Sequence, residues 1–487
     1  MRRLVFCFDG TWNKIDGNYP TNVARVAQSV SRYDDDIPQI IYYDEGVGTS
    51  ATEKWTGGIF GHGLIEKIIE AYHFLILNYE PGDQIYVFGF SRGAFAARSF
   101  VGLIRNCGII SRRSLTHIRA AVELYISRDG NASPNSEKSR TFRLKHCPRL
   151  CLPGDLEWRK TAYPGHLGPD LIQLRIAYLG VWDTVGALGI PRHLRLLGFL
   201  NRKFQFHDTK LSGFVDRARH AISTDERRRS FEPSLWTNLD DLNASDPAIQ
   251  PYEQLFFPGT HAAVGGGGPV RGLSDAALEW IVNGARKSGL AFDRDDQSPI
   301  FSLLPDHRAQ LFNATGKTRW SLGDRIMGVG LRDRTFPEMD QRAIHSSLIR
   351  RYHATAEELP EKQLYRPPAL RSFWEAMEQI WRQRVEKLQS RKLELKSAGD
   401  DRALRAPTRV RRYVVQKGDT LTGVAERQMG SAADSAILGI HNRNVGLLFE
   451  DDVLYAGSEL EIPEYAPVAV PAPAPTPVPE PPPPAPA

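Results

Sequence analysis

Five short apolar runs set the rhythm of the first 345 residues. Leu4–Phe8, Gln39–Tyr43, Gln84–Phe88, Ile176–Trp182 and Gln254–Phe257 are rich in β-branched and aromatic residues and read as strands. Between the second and third, apolar positions from Leu64 to Leu77 recur near a 3.6-residue spacing, which predicts a helix. Ala94 to Phe100 has helical composition too. Alternating strand-like and helix-like runs predict the α/β class, a mostly parallel sheet flanked by helices. Residues 129–168 break the rhythm. They are polar and rich in Gly, Pro and basic residues, and they read as an insertion or long loop.

A different pattern follows. Leu370 to Leu395 is charged and helical, and Lys396 to Arg412 reads as a basic linker. From Tyr413 to Pro463 the expected order is βααβ. A short strand turns at Gly418, Asp419 or Thr420 caps a first helix, a second runs from Ala433 to Asn442, and a strand closes at Pro463. The last stretch, Pro467 to Ala487, is almost entirely Pro, Ala and Val and should be an extended, disordered tail without a packed core. The expected segments are therefore 1–345, 346–412, 413–463 and 464–487.

Composition narrows the class. Hydrophobic residues make up 41% and charged residues 24%, as in water-soluble globular proteins. A length of 487 residues allows two or three domains. The net charge of +5 is too weak to argue nucleic-acid binding. Four cysteines do not make a disulfide framework, and His146, Cys147 and Cys151 lack the second pair of a zinc site, so no metal is expected. Met1-Arg2-Arg3 precedes only five apolar residues, which reads as a buried strand and not a signal peptide. No run approaches the ~20 apolar residues of a membrane span.

The chemistry centres on Gly89-Phe90-Ser91-Arg92-Gly93, directly after a strand and before a helix. This is the setting of a nucleophile elbow, whose glycines allow close backbone approach around an exposed serine. A serine nucleophile needs a base and an acid, which in α/β-hydrolases follow as Ser, Asp or Glu, then His. Asp183 ends the Ile176–Trp182 run, and His261 follows Gln254–Phe257 on a glycine-flanked loop. His220 competes as base and Asp225 as acid. The oxyanion hole needs two backbone N–H groups. Arg92, after the nucleophile, is one candidate, and the Gly10-Thr11 loop after the first strand supplies the other. The same loop raises a phosphatase alternative, because haloacid-dehalogenase-type enzymes carry Asp-x-Asp-Gly-Thr there. In this chain Cys7 stands at the nucleophilic Asp position.

Five motifs occur in order: Phe8-Asp9-Gly10-Thr11-Trp12-Asn13, Gly46-Val47-Gly48-Thr49, Gly89 to Ala94, Gly180-Val181-Trp182-Asp183-Thr184-Val185-Gly186, and Phe257-Pro258-Gly259-Thr260-His261. Together they resemble the α/β-hydrolase family long labelled a domain of unknown function, which includes the catalytic domain of type VI secretion phospholipase effectors. The resemblance implies a Ser91–Asp183–His261 triad acting on acyl esters such as phospholipids without a cofactor. The family usually has Ser-Asp after the histidine; this chain has Ala262-Ala263, so a degenerate domain serving as a scaffold is the alternative. The segment Ile190 to Phe206 mixes Leu194, Leu197 and Phe199 with Arg192 and Arg195 and suggests a lid for peripheral membrane contact.

The C-terminal segment resembles a LysM domain through Gly418-Asp419-Thr420-Leu421, Asn444, Gly457 and Leu460-Glu461-Ile462-Pro463. That resemblance implies binding to peptidoglycan or another N-acetylglucosamine-containing glycan, in a groove beside Gly418, Asp419, Thr420 and Leu421. Without a signal peptide the chain is cytoplasmic by default. The LysM resemblance points instead to the periplasm or wall after non-classical delivery.

Overall fold

The computed structural model describes residues 1–10, 15, 17–46, 59–127, 129–166, 171–186, 210–246, 249–293, 298–300, 303–315, 319–327, 330–336, 343–416, 419–444, 454 and 459–466. Two compact units divide the chain, one reaching to Arg384 and the other beginning at Val385. No helix among the described residues is long and apolar enough to cross a membrane. Thr11, Gly418, the Ile190–Phe206 segment and the Pro-rich tail lie outside the described residues.

The first unit is built on a seven-stranded sheet. Its strands are β1 (Arg3–Phe8), β2 (Tyr33–Asp34), β3 (Ile37–Asp44), β4 (Gln84–Phe90), β7 (Tyr178–Trp182), β8 (Ala218–Ser223) and β9 (Tyr252–Phe257), while β5 (Leu150–Cys151) and β6 (Ile172–Gln173) form a separate pair. The order across the sheet is β2-β3-β1-β4-β7-β8-β9, and only the β2–β3 pairing is antiparallel. All five expected strands are present. β1, β4 and β7, in the middle of the sheet, are buried on both faces, as a parallel sheet covered by helices requires, while β3 and β9 are partly buried. The expected helix over Leu64–Leu77 is the Ile59–Asn78 helix. Arg92–Cys107 packs on the same face, and Asn22–Ser29 and Gly272–Lys287 cover the other.

Register aligns the strand ends. Phe8 pairs with Gly89, Phe90 with Trp182, Trp182 with Ala221, and Ser223 with Phe257. Everything that immediately follows these strands therefore meets at one edge. From β1 the chain crosses to β3 on one side, and from β4 it crosses to β7 on the other. The gap beyond β1 and β4 is thus a topological switch point, where open α/β sheets carry their sites.

Three features depart from the expectations. Residues 129–168 are not a long loop: they hold the helices Glu137–His146 and Asp155–Ala162. Two of their arginines, Arg143 and Arg159, turn inward, and Arg143 makes a two-pronged bond to Asp155 at 2.7 and 2.6 Å. Strand β8 was not expected because Arg219 and His220 interrupt its apolar run. Arg219 pairs with Glu253 on β9, and His220 is buried between Gln254 and the turn after β7. Finally, the segment after residue 345 is no detached connector. The Ser346–His353 helix packs with Ile222, Phe256, Leu370 and Met377 in one core, so these residues complete the first unit.

The second unit pairs β10 (Arg409–Val414) with β11 (Glu459–Glu464) antiparallel, with helices Leu421–Met429 and Ser435–Asn444 between them in sequence. This is the expected βααβ order. Val415, Val424, Ala425, Leu438, Leu460 and Ile462 form its core. The basic "linker" is partly built in: Ala403 packs on Ile437 and Ile440, Arg402 bridges Asp400 and Asp434, and Arg409–Arg412 belong to β10.

Two outcomes follow from this packing. A Cβ on Gly93 would stand 2.2 Å from the Phe8 carbonyl oxygen. Gly93→Ala should therefore destabilise the first unit by about 3 kcal/mol or more, read from urea unfolding. His220 and His345 are fully buried, and burial followed by nearby guanidinium groups pushes both down to about 3. The unfolded chain takes up protons on these groups below pH 6.5 while the folded chain does not, so stability falls as pH drops. Between pH 7 and 5 each histidine should cost about 2 kcal/mol, and a flat unfolding midpoint over that range would contradict the assignment.

Candidate active site

Ser91 sits at φ +61° and ψ −124° between β4 and the Arg92–Cys107 helix. A non-glycine residue in that region is strained, and the neighbouring structure must hold it there. The Ser91 N–H donates to the Trp182 carbonyl at 3.0 Å, and the Val185 N–H donates back to the Ser91 carbonyl at 3.4 Å. Gly89 is as constrained as Gly93, since its Cβ would lie 2.6 Å from the Gly93 carbonyl oxygen. Asp183, after β7, also has positive φ (+36°), and its N–H donates to Ala221 at 2.7 Å.

His261 opens the short His261–Gly265 helix beyond β9. Its Nε2 lies 2.8 Å from Ser91 Oγ and its Nδ1 2.6 Å from Asp183 Oδ2, so the structure brings the three expected residues into one hydrogen-bonded chain. The Phe90 and Phe231 rings flank the imidazole at 4.6 and 4.8 Å. Burial lowers the His261 pKa below the ordinary imidazole value and outweighs the pull of Asp183. Burial alone would raise the Asp183 pKa. The Arg334 guanidinium and the bond from His261 overcome that and hold the carboxyl well below the carboxylate range. With Asp183 ionised, His261 Nδ1 carries the proton that it donates, and the Nε2 lone pair faces the serine hydroxyl.

The rival residues have other partners. His220 Nε2 accepts from the Thr184 N–H at 3.2 Å and Nδ1 pairs with Gln254, so this histidine supports the turn carrying Asp183. Asp225 accepts from Gly259 N–H at 2.6 Å and from the Tyr365 hydroxyl at 2.8 Å, and it supports the turn leading to His261. Cys7, at the position of the phosphatase nucleophile, is wholly buried in β1, where burial and Asp9 push its thiol up.

One oxyanion expectation needs correction. The Gly10 N–H donates to Asp9 Oδ1 at 2.6 Å instead of facing Ser91. The cause is the buried Asp9 carboxylate, which gathers donors from Gly10, the Thr21 hydroxyl and the Tyr43 hydroxyl. Arg92 opens its helix, so its N–H lies at the positive end of the helix dipole beside Ser91.

Arg334 was not anticipated. It lies in an irregular segment with no periodicity, and nothing around it in the sequence marks it. Glu226 was missed for the same reason; its Oε2 accepts the His261 backbone N–H at 3.3 Å, and Arg228 grips both its oxygens. A cavity of about 490 Å³ begins at Thr260 and is walled by Trp320, Tyr365, Leu364, Arg319 and Arg325. No group of three or more His, Cys, Asp or Glu among the described residues is arranged to hold a metal ion.

In the second unit, Thr420 caps the Leu421–Met429 helix, its oxygen accepting from Gly423 N–H at 3.0 Å. Asp419 accepts from the Tyr413 hydroxyl and Gln416 N–H, and Leu421 packs against the small core. These side chains serve the local fold.

The uncharacterized protein YEL023C of Saccharomyces cerevisiae is 30% identical over 253 residues, covering 49% of this chain and 33% of its own length. An uncharacterized protein from Pseudomonas aeruginosa is 18% identical with a TM-score of 0.34, covering 60% of this chain and 46% of the other. The Tle1 effector, solved bound to the VgrG spike of the type VI secretion system, is 17% identical with a TM-score of 0.30, covering 56% and 52%. The chain thus spans a third of the yeast relative and about half of each solved chain. A family model matches residues 2–284, more than half of the chain. This protein belongs to the family of type VI secretion system Tle1-like phospholipase effector catalytic domains.

Proposed function

We propose that the first unit is a serine hydrolase that cleaves acyl esters, phospholipids first among them. The observation that carries this reading is the Ser91–His261–Asp183 chain of 2.8 and 2.6 Å hydrogen bonds at the carboxyl edge of the sheet. His261 Nε2 takes the Ser91 proton as Oγ attacks the ester carbonyl, and Asp183 stabilises the imidazolium that forms. The Arg92 N–H, at the start of its helix beside Ser91, is the donor assigned to the developing oxyanion. His261 then protonates the departing alkoxide, and water, activated by the same imidazole, resolves the acyl-enzyme.

Membership of a phospholipase effector family supports a lipid ester as substrate. So do the exposed guanidinium groups of Arg319 and Arg325 on the neighbouring cavity, which suit an anionic headgroup. Ala262-Ala263 does not argue for a degenerate domain: Ala263 is buried, and Glu226 supplies a carboxylate at the start of that helix. A fluorophosphonate probe should label the wild type and leave Ser91→Ala at background, and turnover of a phospholipid should fall by ~10²-fold or more in His261→Ala. Equal labelling of wild type and Ser91→Ala would sink the reading.

For the second unit the proposal is a LysM-type module that binds N-acetylglucosamine-containing glycan. The βααβ order and the Asn442 side chain, which ties its helix to Glu461 of β11, support it. Sedimentation with purified peptidoglycan should be lost on deleting residues 413–463, and unchanged binding would refute the proposal.

A further inference from the structure

The family model ends at residue 284, yet the carboxylate of the candidate triad is completed from beyond it. Arg334 is buried, with Nη1 donating to Asp183 Oδ1 at 2.7 Å and Nη2 to Asp183 Oδ2 at 2.9 Å. The same nitrogens donate to the Ser223 carbonyl at 2.6 Å and the Phe231 carbonyl at 2.5 Å. The Ser223 N–H meets Oδ1 at 3.0 Å, and His261 Nδ1 meets Oδ2 at 2.6 Å. Each carboxylate oxygen thus has two donors, and one guanidinium ties together the ends of β7 and β8 and the Phe231 segment that lies against the His261 ring.

We infer that Arg334 is a positioning residue of this site, fixing Asp183 as an ionised, correctly aimed carboxylate and setting how strong a base His261 is. The inference rests on the serine-hydrolase reading above. A buried carboxylate has two ways to shed its charge penalty: it takes up a proton, or it holds a neighbouring cation. If the imidazole were the sole cation within reach, Asp183 would favour imidazolium at rest, and imidazolium cannot accept the Ser91 proton. A planar guanidinium matched to both oxygens neutralises the carboxylate without using the imidazole. His261 can then rest neutral and become charged only as the reaction proceeds.

The other charges facing this cluster are few. Glu226 and Glu232 attract Arg334, Glu226 favours a charged His261, and Arg228 opposes it. His220, beside Thr184, stays neutral. Arg228 is bound to Glu226, so that pair brings little net charge. Arg334 is left as the cation that decides the Asp183–His261 balance.

The test compares wild type, Arg334→Lys and Arg334→Met in the full chain, by fluorophosphonate labelling of Ser91 and by the pH dependence of kcat/KM on a short-chain ester. In the wild type the acid limb should lie below pH 6.5, because burial outweighs the pull of Asp183 on His261. In Arg334→Met the uncompensated carboxylate draws a proton onto His261, so the acid limb moves to higher pH and labelling at pH 7 slows by ~10²-fold. Arg334→Lys keeps the charge but loses the fork. Its acid limb should stay near that of the wild type, while its labelling rate falls by about tenfold. A folded Arg334→Met with wild-type labelling and an unmoved acid limb overturns the inference. So does an Arg334→Lys that labels as fast as the wild type, or one whose limb moves as far as that of the Met variant. A wild type that labels no faster than Ser91→Ala overturns instead the serine-hydrolase reading on which the inference depends.

Discussion

A carboxylate removed from water needs donors on every side, and Asp183 is the point where this demand organises the first unit. Its oxygens are met by a strand-end amide, an imidazole and a guanidinium drawn from three separate stretches of chain. The parallel register brings those stretches to one edge, because β4 and β7 finish level with each other and β8 and β9 finish together two residues further on. Without the carboxylate, Arg334 would be a buried cation bonded to two carbonyls, with Glu226 and Glu232 as more distant counter-charges. Removing one partner of such a pair costs far more than the pair contributes in sum. The same logic recurs nearby, where Asp225 and Asp9 each gather hydroxyl and amide donors and fix the turns on either side.

This explains which parts of the fold were legible in the sequence. Strands β1, β3, β4, β7 and β9 could be read because they are apolar runs bounded by turns, and the elbow because its glycines carry a steric demand written in two letters. The βααβ order of the second unit was equally plain, from a capping threonine and short apolar runs. Strand β8 and the helices of residues 137–162 were hidden for one common reason. Composition treats Arg and His as surface residues, whereas here Arg143, Arg159, Arg219 and His220 face inward and are paired. Arg334 was invisible on the same grounds: a long-range ion pair leaves no periodicity, and its partner lies 151 positions away. Asp183 and His261 were found because each ends a strand-like run, so topology did for them what spacing could not do for Arg334.

The two alternatives weighed at the outset also resolve into physics. His220 and Asp225 resembled an acid–base pair because both lie near the right strand ends. Each instead holds a turn that carries a member of the hydrogen-bonded chain, His220 through Thr184 and Asp225 through Gly259. The Gly10 amide resembled an oxyanion donor because it follows β1, but its N–H donates to the buried Asp9 carboxylate beside it.

The paired bonds between Ser91 and the end of β7 have a mechanical meaning. Two neighbouring strands terminate in residues with left-handed backbone, and each turn is pinned to the other by its main chain. Ser91 and the turn that carries Asp183 are therefore joined main chain to main chain. The imidazole arrives from β9, two strands further out, on a short helix with its own supports. The imidazole is thus joined to Ser91 and Asp183 through side-chain hydrogen bonds, whereas those two residues' turns are joined through the backbone.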